Sequence, residues 1–157
     1  VSLDRLTDLQ RDVWRTPTKS HAADWLLRYG RLYPGRRLPA CYRDLAGPRG
    51  LCFRNSAEAA VADAGLHYAE GMIEVDEQIE SHAWCVDDAG EVVELTLPTA
   101  HGATGWRYWG VLLDPEVVLD FLDAVGVHSA GMLGQLKFDA SLLRRRVPLG
   151  DLTGAVR

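Results

Sequence analysis

A chain of 157 residues, 47% hydrophobic and 25% charged, can bury one core and has the balance of a globular protein, expected here as a single domain over 1–157. A formal net charge of −5 argues against coating nucleic acid, which needs a cationic footprint, and no segment has the apolar length of a membrane span. Three cysteines at unrelated spacings (Cys41, Cys52, Cys85) set out no disulfide framework, and the N-terminus lacks an apolar signal core, so reduced thiols in the cytoplasm are expected.

Residues 1–49 read as N-terminal helices and a loop. The first helices break at Thr16–Ser20; Ala22, Trp25, Leu26 and Leu27 then gather on one face, with Gly30 as C-cap. From Pro34 to Gly50 three prolines and three glycines predict a loop. The stretch GLCFRNSAEAAVADAG, Gly50–Gly65, predicts a helix headed by Cys52 and ended by Gly65, with Ala57, Ala60, Val61 and Ala64 as its apolar stripe. Three strands are expected over Leu66–Val75, His82–Val86 and Glu91–Thr96, with a tight turn at Asp88-Ala89-Gly90 and Gly90 left-handed. The acids between the first two strands read as a solvated loop from which Glu80 is near enough to line a site. Trp106–Asp114 predicts a fourth strand. Asp114 as N-cap, Pro115 at N1 and Gly126 as stop then frame a helix. Residues 113–157 are assigned to C-terminal helices, including a short one over Asp139–Val147 whose arginines form a solvated end. Helices, then a run of strands, then helices indicate an α+β fold.

The chemistry concentrates in residues 50–112. At a helix start, Cys52 meets the positive end of the macrodipole and unpaired backbone N–H groups, which favour a thiolate and an oxyanion. In the hairpin, pairing Asp87 with Glu91 sets Trp84 opposite Glu94 and His82 opposite Thr96, so Glu94 shares the face of His82 one diagonal away. A shift of one residue would send Glu94 to the other face, and strand parity sends Glu91 away from His82. A carboxylate on one imidazole nitrogen fixes the tautomer and frees the other for a nucleophile. Cys52, His82 and Glu94 thus fill the roles of nucleophile, general base and acid, and orienting acid. Asn55 and Arg54, one turn from Cys52, and Trp84, Tyr108 and Trp109 on the strands are candidates to meet substrate. No metal site is expected, since His82 and Cys85 point to opposite faces and no Cys-x-x-Cys pair exists, and no cofactor is expected in the absence of a P-loop or Gly-x-Gly-x-x-Gly.

The order GLCFRNS before a helix, HAW on a strand and VVELT on the next resembles the transglutaminase-like branch of the papain-fold cysteine enzymes, over about Gly50–Thr96. The resemblance implies a nucleophile helix packed on a small antiparallel sheet of about four strands, with helices at both ends, and a triad of Cys52, His82 and Glu94. Glu94 stands where that family carries Asp, and Leu95 where it often carries Pro. The expected function is cofactor-free acyl transfer from a peptide, protein or small amide, ester or thioester to water or to an amine, without nucleic-acid or membrane partners; the oligomeric state stays open. The other reading is a non-catalytic binding or immunity module on the same scaffold, which has no use for a reactive thiol.

Overall fold

The computed structural model describes residues 26, 28–75, 78–97, 105–125 and 131–133. The expected helices before Leu26, the stop at Gly126 and the arginine-rich helix near the C-terminus lie outside these residues. The described chain is α+β. Strand β1 (Arg31–Pro34) and a 3-10 helix (Ala40–Leu45) lead to helix α1 (Cys52–Ala62). Then follow β2 (Leu66–Val75), β3 (Gln78–Asp87), β4 (Val92–Val93), β5 (Arg107–Leu112) and helix α2 (Pro115–Val125). The strands form one antiparallel sheet in the order β1-β5-β2-β3-β4.

Five strands replace the expected four. The extra one follows directly from Gly30, whose N–H caps the helical turn at the Leu26 carbonyl (2.9 Å), and pairs Arg31 with Gly110 at the far edge of β5. The expected loop between the first two long strands is instead ladder: β2 and β3 pair as far as Val75 and Gln78, and Glu74 is ion-paired to Arg107 on the neighbouring strand. At the other end β4 is shorter than expected, because the chain peels away after Val93.

Side chains are buried on both faces of the sheet, so alternation along a strand separates two cores rather than core from solvent. Tyr68, Ala83, Trp109, Val111 and Leu113 pack with Ala57 of α1 and with Val118 and Phe121 of α2. Ala69, Ile73, Trp84, Val86 and Tyr108 pack together on the opposite face with Tyr33. Helix α1 buries Asn55, Ser56, Ala57 and Ala59, whereas Val61 and Ala64 of the expected stripe are exposed. It ends at Ala62, where Asp63 takes over: its carbonyl accepts from Leu66 N (3.0 Å) and its carboxylate from Gly65 N (2.9 Å). Helix α2 begins as its punctuation requires, with Glu116 N donating to the Asp114 carboxylate at 2.9 Å.

On the helix-covered face, buried Glu70 accepts from Tyr68 Oη (2.7 Å) and from the backbone N–H groups of Met132 (2.8 Å) and Leu133 (3.0 Å), anchoring that segment to β2. On the other face Gly71 and Gly110 are cross-strand partners. Cβ atoms at Gly71 and Gly110 would meet, respectively, the Trp109 carbonyl with the Gly110 Cα and the Trp84 ring, so the strands approach closely here and Trp84 lies over bare backbone. Gly71→Ala is therefore expected to destabilise the fold by about 1–3 kcal/mol, read as a fall in the urea midpoint at unchanged slope.

Candidate active site

Helix α1 starts at Cys52 because Gly50, with φ of 79°, turns the chain sharply out of the Pro48 loop. Leu51 occupies the N-cap and provides no side-chain cap, so the N–H groups of the first turn are not consumed by one. The Cys52 thiol is half-buried, whereas Cys41 is exposed and Cys85 buried.

The hairpin has the register expected from its turn. Cys85 pairs with Val93, Val86 with Val92, and Asp87 N donates to the Glu91 carbonyl at 3.0 Å. Gly90 has φ of 81°, and the Asp87 carboxylate accepts from the N–H groups of Ala89 and Glu91, both at 3.0 Å. Glu94 is thereby set on the face of His82, and its Oε2 lies 2.8 Å from His82 Nε2. Glu91 points away and is held, with Asp87, by Arg36.

Glu94 is fully buried and every hydrogen bond it makes is local to the site. Oε1 accepts from Thr96 N (2.8 Å) and Leu97 N (3.0 Å), and Oε2 accepts from His82 and from Tyr108 Oη (3.0 Å). Burial alone would raise its pKa, but the hydrogen bond and charge of His82 and the two backbone donors lower it, so the carboxylate is ionised. For His82 the balance runs the other way. Burial lowers its pKa, yet hydrogen bonds to Cys52 and Glu94 and their charges more than offset this and place it at about 9. With Nε2 committed to Glu94, Nδ1 is the nitrogen left for the Cys52 thiol. The imidazole plane is fixed by Trp84, which lies nearly parallel (12°, centroids 6.4 Å), and by Tyr108 at 6.2 Å.

The five residues expected to meet substrate have other positions or partners. Asn55 is buried in the first turn of α1, where Nδ2 donates to the Pro48 carbonyl (2.9 Å) and to Thr96 Oγ1 (2.8 Å). Rather than meeting substrate, it ties the helix that carries Cys52 to the turn that carries Glu94. Trp84 is fully buried, with its Nε1 unpaired, and sits behind His82. Tyr108 lies beneath Glu94, its hydroxyl kept protonated by burial and by the Glu94 charge. Trp109 is buried on the opposite face of the sheet. Arg54 is salt-bridged to Glu58 along the helix surface.

The open face beside His82 is a cleft of about 390 Å³. Ile73, Val75, Leu97 and Trp106 give it an apolar lining; Gln78 and Glu80 follow His82 along β3, and exposed Arg49 completes the lining. Glu80 therefore lines the site, as its closeness in sequence suggested. Trp106 is the aromatic of the Trp106–Trp109 run that reaches the cleft. It stands just before β5, and the register that pairs Ile73 with Tyr108 places it alongside Val75. Among the described residues no group of three or more His, Cys, Asp or Glu side chains is arranged to hold a metal ion, and no helix is long and apolar enough to cross a membrane. No family model matches the chain, and the comparisons with curated proteins and with solved structures give no match either.

Proposed function

We propose that the protein is a cysteine-dependent acyl-transfer enzyme with a papain- or transglutaminase-like arrangement, in which Cys52 is the nucleophile, His82 the general acid and base, and Glu94 the orienting acid. The observation that carries this reading is the buried Glu94–His82 bond of 2.8 Å, with Cys52, at the uncapped start of a helix, near enough to raise the pKa of the same imidazole. A packing cysteine needs neither an oriented histidine nor a buried carboxylate bonded to it.

In the reaction Cys52 Sγ adds to a carbonyl carbon and the oxyanion forms beside the first-turn N–H groups of α1. His82, as imidazolium, passes its Nδ1 proton to the departing nitrogen or oxygen, leaving an acyl-thioester on Cys52. Neutral His82 then takes a proton from water or an amine as that nucleophile attacks, and the thiolate departs. Hydrolysis is the simpler outcome, as it asks for no second bound substrate.

The test is mixing with p-nitrophenyl acetate. The reading expects a burst of nitrophenol of one equivalent per chain, with acetyl found on Cys52 by mass spectrometry of the quenched protein, and no burst in Cys52→Ala. A folded wild-type protein that acquires no acetyl on Cys52 overturns it.

A further inference from the structure

The cleft reaches His82, but Cys52 is not among the side chains that line it. In acyl transfer the acyl group stays on the nucleophile while the departing group takes its proton from the general acid. A cavity that opens on the histidine and extends from it along β3, with Cys52 outside its lining, therefore lies where the leaving group sits. Strand spacing gives its reach: from His82 to Gln78 is four residues, roughly 13 Å. Its volume, about 390 Å³, is at the small end for ligand pockets, suited to one residue rather than a length of polypeptide.

The lining specifies that residue's chemistry. Ile73 and Val75 project from β2, each opposite a polar residue of β3: Ile73 faces Glu80, and Val75 faces Gln78. Leu97, held by its N–H on Glu94, and Trp106 complete an apolar surface. Two opposite charges border this surface. Arg49 is exposed and Glu80 is exposed, and among the described residues neither has a salt-bridge partner. An apolar patch flanked by a cation and a carboxylate, neither salt-bridged among the described residues, matches a group with an apolar body, a carboxylate and an amine. The amine is the atom that His82 must protonate, so Glu80, two residues from His82 on the same face of β3, stands on the amine side and Arg49 takes the carboxylate.

We infer that the leaving group is a single α-amino acid with an apolar side chain, so that the substrates are N-acyl amino acids or chains cut before a free C-terminal apolar residue. This rests on the acyl-transfer reading above and deepens it. The bonds balance with water alone. The carbonyl–nitrogen bond breaks as the carbonyl–sulfur bond forms, the nitrogen receives the His82 proton and the free amino acid leaves. Water then returns the thiol and releases the acid. The same cleft must receive the amino acid when the reaction runs in reverse.

The experiment loads Cys52 with acetyl from p-nitrophenyl acetate and offers L-phenylalanine or L-phenylalaninamide as acceptor, the N-acetyl products being measured per free amine. Phenylalanine is expected to be favoured by about tenfold, the worth of one charge-assisted contact at an accessible site. In Arg49→Gln, compared per acetyl-enzyme formed, the preference falls to near unity. In Trp106→Ala both phenylalanine compounds lose rate while glycine does not. Equal use of acid and amide by the wild type, or a preference that survives Arg49→Gln, overturns the inference and leaves the acyl-transfer reading standing. Failure to form the thioester overturns both.

Discussion

Replacing Glu94 by Gln is expected to lower the rate of Cys52 acylation by about 10⁴-fold while leaving the protein folded, the cost of a wrong tautomer in the corresponding serine enzymes. The geometry dictates the sense of the change. Oε1 of residue 94 accepts from the N–H groups of Thr96 and Leu97, so the Gln carbonyl must take that position. Its NH₂ then replaces Oε2 and donates to His82 Nε2, where the carboxylate had accepted. Nε2 must give up its proton, the ring proton moves to Nδ1, and the imidazole can no longer take one from Cys52. The Tyr108 hydroxyl loses its acceptor in the same step. The measurement is the burst rate of Glu94→Gln, with the urea midpoint as a check on folding. Glu94→Ala is the contrast: it strips a buried histidine and tyrosine of their partner and is expected to lower stability by about 3–5 kcal/mol as well as activity.

The second large effect is on pH. The His82 pKa of about 9 lies above the ordinary 6.5, so the stabilisation linked to its proton is complete below 6.5, fades between 6.5 and 9 and is gone above. A shift of this size is worth about 3 kcal/mol. Glu94 acts in the opposite sense. Its lowered pKa stabilises the fold above the ordinary 4.5 and ceases to do so as pH falls through the folded value. Wild type should therefore lose stability relative to His82→Gln on going from about pH 6 to about pH 10, seen by urea titration at each pH. Acylation by an amide, whose departing nitrogen needs the imidazolium as proton donor, should fall off above pH 9.

Tyr108 provides a subtler expectation. Tyr108→Phe keeps the ring against Trp84, at 5.1 Å between centroids, but removes one of the two donors to Glu94 Oε2. With the carboxylate charge less dispersed, the imidazolium is held more tightly, so the alkaline limb of the acylation profile should move above that of wild type with little change in the urea midpoint.

The parts of this site that were legible in the sequence are those governed by local rules. A turn of Asp88-Ala89-Gly90 after Asp87 pairs Asp87 with Glu91, and that register puts Glu94 on the face of His82. A positive φ at Gly50 and the absence of a capping side chain likewise follow from what surrounds Cys52. What was not legible depends on partners far along the chain. Strand β1 has four residues, ends in Pro34 and is recognisable only through β5, some eighty residues away. Trp84, Tyr108 and Trp109 have the composition of a groove, but with side chains buried on both faces of the sheet, alternation says only that neighbours part ways, not which core receives them. Trp106 reaches the cleft because it lies just outside the strand that buries the other two. Asn55 looked like a substrate contact because it lies one turn from Cys52; its partner, Thr96, is 41 residues on.

The central claim is that Cys52 and His82 act as one unit. Its most direct measurement is the rate of iodoacetamide labelling of each cysteine in the native protein from about pH 5 to 9, read by mass spectrometry in wild type and His82→Ala. The account predicts that Cys52 labels faster than the more exposed Cys41, that Cys85 stays unlabelled, since burial raises its pKa and its thiol donates to the Ser56 carbonyl, and that the advantage of Cys52 vanishes in His82→Ala. Labelling of Cys52 no faster than Cys41, or unaffected by the loss of His82, would contradict it.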